Sequence, residues 1–355
     1  MTSPRHGFVT GGCWCVDRNR TLPAWPDEEM SVPVSAAVPR GGGSACNFAI
    51  DMRRLDPAMP VETIGLVGDD ADGRFLHAEA ERHGITTAQL HVTSDAATHA
   101  TEAYQSLASG RRTHIYHDGA SGRLSPDHFD LAATRGRILH LGLPGVHAVM
   151  DAPWRDEPSG WVAVLKAARR AGLDTNLELA SVEPARLAAL VRPCLPHLDT
   201  LIVNDFEIGA IAGRRTVNAG ETDEAACLAA MREVLPQGAM GLVVVHFVRG
   251  ALLLSRDGTV AHRPSVTLPQ PLYAGSNGAG DAFAAGFLYG HHQGWSFDRS
   301  LTLAHAAAAA SLRSITTTDS VEPAETCLAL AEAWGWRAAS GRAPFESSDR
   351  GRDTA

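Results

Sequence analysis

The sequence predicts an α/β fold in which helices cover both faces of a mostly parallel sheet. Two observations carry this prediction. Short apolar runs rich in Val, Ile and Leu alternate with helical segments over most of the 355 residues, which is typical of a parallel sheet. Two strand-rich pieces, near residues 10–40 and 97–117, interrupt the alternation, and we expect them to form a small antiparallel sheet that projects from the main domain.

The predicted elements follow one another in a regular order. We expect strands at residues 7–12, 32–38, 61–67, 138–142, 173–179, 200–203, 242–245 and 251–254. We expect helices from about Phe48 and at residues 74–83, 160–171, 205–212, 224–235, 301–312 and 322–334. A polar segment with Asp17, Asn19 and Thr21 follows the first strand. Two further strands between residues 97 and 116 flank a turn at 109–112.

Composition limits the classes of function. The net charge is −9 and no dense Lys/Arg run occurs, so we expect no nucleic-acid partner. No 18-residue apolar span and no apolar N-terminal stretch of signal-peptide length are present, so we expect no membrane association and a cytoplasmic location. Residues 338–355 are polar and rich in Ser, Gly and Arg, and we expect a disordered tail after a single domain at 1–337.

The six cysteines do not form a disulfide framework in a chain of this length. Two of them stand close together in Cys13-Trp14-Cys15. We expect their side chains to point to opposite faces of a strand. The prediction is therefore buried free thiols and no shared metal ion.

A glycine-rich stretch, Ala274 to Asp281, leads into an apolar run that predicts a helix beginning at about Gly278. A helix start directs unpaired N–H groups and the positive end of its dipole at an anion, most often a phosphate. Asp281 would face the same pocket, where a carboxylate is useful if it takes a proton from an attacking hydroxyl. Taken by itself, the stretch is more typical of a structural glycine turn capped by an acid.

Other candidate residues also follow predicted strands. Asp17, Gly42-Gly43 and Asn204 come after strands, as does the stretch from Gly275 to Asp281. Ligands of parallel α/β sheets lie outside the carboxyl ends of the strands, so these turns can converge on one crevice. The glycine turn at 41–43 lacks the G-x-G-x-x-G spacing and does not indicate a dinucleotide site.

Several motifs together point to a family. The run Gly278-Ala279-Gly280-Asp281-Ala282-Phe283 closely resembles the C-terminal motif of the ribokinase-like (phosphofructokinase-B) carbohydrate kinases. Four more segments are similar to motifs of that family and occur in its order: Gly42-Gly43 with Asn47, residues 65–73, Gly110-Arg111-Arg112-Thr113 and Asn204-Asp205-Phe206-Glu207. The resemblance runs from about Phe8 to Trp334. It implies a ribokinase-like three-layer sandwich with a β-lid from about 13–40 and 97–117.

The resemblance also implies a reaction, namely ATP-dependent phosphorylation of an alcohol on a sugar or sugar derivative. By similarity, Asp281 is the base that accepts the hydroxyl proton. The N–H groups of Gly278, Ala279 and Gly280 stabilise charge on the transferring phosphoryl group, because such transfer needs mainly positioning and charge neutralisation.

The same resemblance assigns roles to scattered residues. On the sugar side it implies Asp17, Asn19, Gly42, Gly43 and Asn47. Asn204 and Glu207 would hold Mg²⁺ or its waters. On the nucleotide side it implies Arg249, Gly250 and His305. A homodimer through the lid is expected, because exposed lid edges can pair between subunits.

Three departures from the family pattern lie on the nucleotide side. Gly275 stands where the family usually has Asp, in a region used by members that bind an activating monovalent cation, so dependence on that cation is not carried over. The nucleotide strand ends in an unusual turn at residues 246–250, and residues 316–319 also lack the usual pattern. The phosphoryl donor therefore stays open.

Three functions remain compatible with the sequence. A sugar kinase is the main hypothesis, a nucleoside kinase of the same family is the second, and a non-catalytic sugar or nucleotide sensor on this fold is the third. Arg111 and Arg112 could contact an acidic or phosphorylated sugar, or lie in solvent at a hairpin tip. The motifs do not identify the sugar or the hydroxyl.

Overall fold

The computed structural model describes residues 5–109, 112–180 and 182–338. Within these ranges the chain forms one nine-stranded sheet, one four-stranded sheet and one two-stranded ribbon. The predicted hairpin tip at Gly110-Arg111 and the predicted tail from residue 339 onward lie outside the described residues. Among the described helices, none has the length and apolar character needed to cross a membrane.

The strands are short and mostly buried. Their bounds are Phe8–Gly12 (β1), Cys15–Leu22 (β2), Ala36–Gly42 (β3), Val61–Gly68 (β4), Thr86–Thr93 (β5), Ala100–Ser106 (β6), Arg112–His117 (β7), Ile138–Gly142 (β8), Asp174–Leu177 (β9), Thr200–Asn204 (β10), Val217–Asn218 (β11), Glu221–Thr222 (β12), Leu242–Phe247 (β13), Gly250–Ser255 (β14) and Val260–Pro264 (β15).

Helices follow most strands of the large sheet. Their bounds are Ser44–Leu55 (α1), Ala71–Arg82 (α2), Ala148–Asp151 (α3), Gly160–Arg170 (α4), Pro184–Val191 (α5), Asp205–Ala212 (α6), Glu224–Val234 (α7), Ala279–His292 (α8), Phe297–Ser311 (α9) and Ala324–Trp334 (α10).

The large sheet has the strand order β15-β14-β13-β10-β9-β8-β1-β4-β5. All neighbouring pairs from β13 to β5 are parallel, and the pairs β13–β14 and β14–β15 at one edge are antiparallel. The predicted mostly parallel sheet is therefore confirmed. Because the carboxyl ends of the parallel strands meet at one rim, the residues that follow β8, β9 and β10 lie along the same side of the molecule.

Two apolar layers cover the sheet. On one face, α1, α8, α9 and α10 pack against it through side chains such as Phe48, Phe283 and Phe287. On the other face, α4, α5 and α7 pack through Trp161, Leu187 and Met231, among others. These residues are close to fully buried. The arrangement is a three-layer α/β/α sandwich, as the resemblance implied.

The second sheet, called here the small sheet, consists of β2, β3, β6 and β7 in the order β3-β2-β6-β7. Its two outer pairs are antiparallel, whereas the central pair β2–β6 is parallel. The chain passes into it twice from the large sheet, first between β1 and β2 and again just before β6. It comes from the two segments that interrupted the predicted alternation.

Several boundaries differ from the prediction. The polar segment around Asp17 is a full strand, β2, because its polar side chains are buried in the small sheet rather than facing solvent. The strand expected at 32–38 lies instead at Ala36–Gly42, and β5 was not predicted. Helix α1 starts at Ser44 rather than Phe48, directly after Gly43.

Candidate active site

The N-terminus of α8 is built around glycine. Gly278 caps the helix with a left-handed φ of 76°. A Cβ at this position would stand 2.4 Å from the Thr317 carbonyl oxygen, so the close packing of the 316–318 segment admits no side chain. Ala279 and Gly280 begin the helix and Asp281 lies in its first turn. The predicted helix start is confirmed, and its free N–H groups suit an anion.

Asp281 is held by a contact that spans most of the chain. Asn47 Nδ2 donates to Asp281 Oδ2 at 2.8 Å. Thr317 Oγ1 donates to Asn47 Oδ1 at 2.9 Å, which orients the amide so that its NH₂ group faces Asp281. Asn47, assigned to the sugar by resemblance, therefore lies against the predicted base and orients it.

Two residues that the sequence did not single out complete this cluster. His140 Nε2 lies 2.6 Å from Glu178 Oε2, and its Nδ1 lies 2.9 Å from Asn176 Oδ1. Asn176 Nδ2 donates to the Thr200 carbonyl, so Oδ1 is the atom that faces the ring. His140 Nδ1 therefore carries the proton, and Nε2 accepts a hydrogen bond from a protonated Glu178. The Glu178 carboxyl is also a neighbour of Asp281 and raises its pKa.

Burial sets the protonation of these groups. It raises the pKa of Asp281 well above its usual range, and the adjacent Glu178 carboxyl raises it further. Burial raises the pKa of Glu178 to about 7 and lowers the pKa of His140 to about 4. A neutral imidazole beside a half-protonated carboxyl agrees with the hydrogen-bond geometry. The cluster can therefore exchange a proton near neutral pH.

Glu178 and His140 could have been selected as site residues from their positions relative to the predicted strands. Glu178 directly follows β9 and Asn204 is the last residue of β10, so both stand at the carboxyl end of a parallel strand. His140 lies inside the buried strand β8, where a lone polar residue stands among apolar ones. An acid at the carboxyl end of a parallel strand is a candidate site residue by the rule that selected Asn204.

The predicted sugar-side residues lie together at the junction of the small sheet and α1. Asp17 is buried, and burial raises its pKa to about 6. A Cβ on Gly42 would stand 2.2 Å from Asp17 Oδ2, so bare backbone is what lets this carboxylate lie there. Nearby, the Asn19 Oδ1 and Ser44 Oγ atoms are buried without a hydrogen-bond partner among the described residues. Such atoms can accept or donate bonds to ligand hydroxyls.

Cys13 and Cys15 are buried and free, as expected, but the prediction that they face opposite sides was wrong. Residues two apart in an extended chain share a face. Accordingly, the Sγ atoms of Cys13 and Cys15 and one ring nitrogen of His99 all lie within 4.8 Å of one another. A hydrogen bond from Cys15 holds the pKa of the Cys13 thiol well below its usual range, and His99 lowers it further.

Asn204 and Glu207 form a capping box at the start of α6. Asn204 Oδ1 accepts from Glu207 N at 2.8 Å, and Glu207 Oε2 accepts from Asn204 N at 2.9 Å. Burial raises the pKa of Glu207 to about 7, and the Glu207 charge in turn raises the pKa of Glu178. Glu178 and Glu207 therefore offer carboxylate oxygens and negative charge that no cation in the described structure balances. These are the ligands that Mg²⁺ prefers.

The three predicted nucleotide-side residues surround β15. Arg249 is exposed in the tight turn between β13 and β14, and its carbonyl accepts from Ser265 N at 2.9 Å. A Cβ on Gly250 would stand 2.6 Å from the Arg263 carbonyl oxygen. His305 is buried in α9 beside Phe283, with its Nε2 3.1 Å from that same carbonyl. The structure thus brings these residues together.

A groove of about 710 Å³ between α5 and α6 contains none of the predicted site residues. Phe206 and Arg192 are among the residues that line it. The site is therefore assigned from the convergence of carboxyl, amide and helix N–H groups around Asp281, and not from the size of a cavity.

Comparison with known proteins identifies the family. Residues 12–324 match the model of the pfkB family of carbohydrate kinases. The chain belongs to this family. It is accordingly a phosphotransferase with an alcohol group as acceptor, and membership of a kinase family of the ribokinase type implies the use of ATP.

Relatives include kinases for different substrates. The chain is 26% identical to adenosine kinase of Saccharomyces cerevisiae, over 81% of this chain and 82% of that protein. It is also 26% identical to 5-dehydro-2-deoxygluconokinase of Geobacillus thermodenitrificans, over 88% of this chain and 89% of that protein. Among solved structures, ribokinase of Cryptococcus neoformans var. grubii in complex with ADP aligns with a TM-score of 0.73 at 21% identity, covering 92% of this chain and 99% of that one. The fold is that of ribokinase, and the family includes both carbohydrate and nucleoside kinases.

Proposed function

We propose that this kinase transfers the γ-phosphoryl group of ATP to a hydroxyl of a monosaccharide or sugar derivative, with Asp281 as the base. The observation that carries the proposal is the position of Asp281. It stands in the first turn of α8, held by Asn47 from a helix 234 residues away in the chain. Phosphoryl transfer needs mainly positioning and charge stabilisation, and one carboxylate at a helix start with N–H groups beside it can provide both.

In this mechanism Asp281 accepts the proton of the acceptor hydroxyl as its oxygen attacks phosphorus. The N–H groups of Gly278, Ala279 and Gly280 would bind the oxygens of the transferring group and stabilise their charge. Glu178 raises the pKa of Asp281 and His140 lowers it, so the two residues set the protonation state of the base. Asn204 and Glu207 would hold Mg²⁺ or its waters, and the ion supplies charge neutralisation at the phosphates when bound.

The buried polar atoms beside Asp17 support a sugar as the acceptor. Asp17 presents a carboxylate that can accept two hydroxyls, and Asn19 Oδ1 and Ser44 Oγ are unpaired within the described structure. A polyol would supply the missing partners. We propose that Arg249, Gly250 and His305, which lie around β15, bind the nucleotide.

One observation favours a nucleoside as the second candidate acceptor. Tyr116 of β7 stacks on His99 with ring centroids 5.6 Å apart, and 54% of its surface is exposed. An exposed aromatic ring on the small sheet can stack on a purine base. A Tyr116→Ala variant would then lose affinity for a nucleoside and keep its affinity for a free sugar.

The test is a turnover assay of the purified protein with Mg-ATP over a panel of sugars, sugar acids and nucleosides. We expect turnover with one sugar class and a loss of that turnover in Asp281→Asn. Absence of turnover over the whole panel would reject the kinase proposal. Calorimetric binding of a sugar without turnover would support the sensor hypothesis in its place.

The domain and assembly are also proposals. We propose one kinase domain at 1–337 in which the small sheet acts as a lid over the sugar side. Ile115 and Tyr116 on its edge strand β7 are each more than half exposed, which supports a homodimer through this sheet. Light scattering of the wild type and of Ile115→Lys tests the dimer, which we expect to dissociate in the variant.

A further inference from the structure

We propose that Cys13, Cys15 and His99 bind one divalent metal ion of the zinc type, with the unpartnered ring nitrogen of His147 as a neighbour of the cluster. The three potential ligand atoms of the first three residues lie within 4.8 Å of one another, and all three side chains are buried. This site is separate from the Asp281 cluster and from the proposed Mg²⁺ ligands Asn204 and Glu207. It goes beyond the proposed function.

The spacing of the ligand atoms fits a tetrahedral ion. Cys13 Sγ and His99 Nδ1 are 3.5 Å apart. With a zinc–sulfur bond of about 2.3 Å and a zinc–nitrogen bond of about 2.0 Å, tetrahedral geometry requires a sulfur–nitrogen separation of about 3.5 Å. An ion between these atoms therefore needs little movement of the Cys13 and His99 side chains.

His147 provides the second, independent observation. Its Nδ1 lies 2.7 Å from the Ser121 carbonyl oxygen, which can only accept, so Nδ1 carries the proton. Its Nε2 then presents a lone pair, and this atom is buried without a partner among the described residues. Cys13 Sγ lies 3.7 Å from Ser121 Oγ, so both side chains pack against the same residue. A histidine fixed by a carbonyl on one nitrogen and free on the other is the usual form of a metal ligand.

Charge favours the same ion. Two thiolates and one neutral imidazole around a divalent cation carry no net charge, which a buried site can accommodate at low cost. Sulfur and nitrogen ligands exclude Mg²⁺ and Ca²⁺, which take oxygen ligands.

The location gives the ion a structural role. Cys13 lies where the chain leaves β1 of the large sheet for β2 of the small sheet, and His99 lies immediately before β6. The Val16 N–H already donates to the His99 carbonyl at 3.0 Å across this junction. A metal ion here would tie together the two connections between the large and the small sheet, beside Asp17.

The experiment measures binding, not turnover. Full-length protein is reduced, stripped of metal, loaded with Zn²⁺ and dialysed, and the zinc is counted by mass spectrometry. A parallel Co²⁺ titration reads the thiolate-to-metal absorption, which the proposed Mg²⁺ site cannot produce. We expect about one retained ion per chain and thiolate–cobalt absorption in the wild type.

Variants then locate the ion. Cys13→Ser and Cys15→Ser should lose the absorption, and His99→Gln should bind Co²⁺ at least about 10–100-fold more weakly. Cys227→Ala, which removes a buried thiol on α7 outside the cluster, should bind like the wild type. The wild-type measurement stands alone if a variant does not fold.

Two results would overturn the proposal. The first is wild-type protein that keeps no zinc and gives no thiolate–cobalt absorption. The second is a Cys13–Cys15 disulfide, found by mass spectrometry in protein purified without reductant, together with no metal uptake after reduction. Either result would leave the kinase proposal standing, because neither readout depends on turnover.

Discussion

The proposed active site has a proposed sugar side and a proposed nucleotide side, and the two differ in how their polar groups are hydrogen-bonded. On the sugar side, Asn19 Oδ1 and Ser44 Oγ are buried and unpaired within the described chain, and Asp17 lies against bare backbone at Gly42. On the proposed nucleotide side, Asn204, Glu207 and His305 already have partners within the fold. Asn204 and Glu207 cap one another, and His305 bonds to the Arg263 carbonyl.

This difference indicates what each side requires from its ligand. Unpaired buried atoms cost free energy until a ligand pairs them, so the sugar side is built to discriminate by hydrogen bonding. On the proposed nucleotide side, the polar groups named above are hydrogen-bonded within the fold without a ligand. We therefore expect that side to bind its ligand through shape and charge. Substitutions on the two sides should therefore separate into effects on the acceptor and effects on the donor.

The largest effect is expected at the centre, where both sides meet. Asp281→Asn removes the base, and kcat should fall about 10²–10⁴-fold, the usual contribution of a positioned base. Steady-state assays with the accepted sugar measure this loss. Asp95→Asn, at an exposed acid far from the cluster, should keep wild-type activity. Near-full activity of Asp281→Asn would contradict the assignment.

A single methyl group added at Gly42 should weaken binding of the acceptor. Gly42→Ala places a Cβ 2.2 Å from the Asp17 carboxylate, which must move. We expect the KM for the acceptor to rise about 10–100-fold while the KM for ATP stays unchanged. Gly241→Ala is the matched control, because its Cβ would find its nearest neighbour at 3.8 Å. An equal rise of both KM values would remove the distinction between the two sides.

On the proposed nucleotide side, a substitution at Glu207 should change the Mg²⁺ concentration that the enzyme requires. In Glu207→Gln the amide oxygen can still accept from Asn204 N, so the capping box and the melting temperature should persist. The lost charge should raise the Mg²⁺ concentration for half-maximal activity about tenfold. Titration of Mg²⁺ at fixed ATP measures this. A fall in melting temperature with no change in the Mg²⁺ requirement would show that Glu207 serves only as a cap.

The shared proton network should appear in the pH profile. Asp281 acts as a base only when ionised, so kcat/KM falls as pH drops through its pKa. Glu178 raises that pKa, and Glu178→Gln should move the acid limb to lower pH by about one unit. Glu221→Gln, at an exposed acid, should leave the profile in place. A shift in the opposite direction would mean that Glu178 stabilises the ionised form of Asp281.

The smallest effect concerns stability. Both carboxyl oxygens of Asp51 are buried without a partner in the described structure, and burial raises its pKa well above the usual range. A raised folded-state pKa contributes stability at low pH that is lost as pH rises, because only the unfolded chain ionises freely. Asp51→Asn should therefore stabilise the protein by about 1–3 kcal/mol at pH 8 and by less at pH 5. Urea unfolding at the two pH values measures this. An equal gain at both would exclude ionisation as the cause.

The sequence alone determined the features that depend on neighbouring residues. The alternation of apolar runs and helical segments identified the parallel sheet. Gly278 before Ala279 placed the start of α8, and the sequence placed the helix at 205–212 directly after β10. These features are set by backbone conformation and by hydrogen bonds over three or four residues, so the local pattern contains the information.

Only the tertiary structure decided which residues reach Asp281. Asn47 bonds to it across 234 residues, and Glu178 approaches from a different strand. The sequence identified β2 only as a polar segment after the first strand, because the burial of its polar residues comes from β3, β6 and α2 rather than from the strand itself. Contacts between distant segments depend on how the layers pack, and no local pattern records that packing.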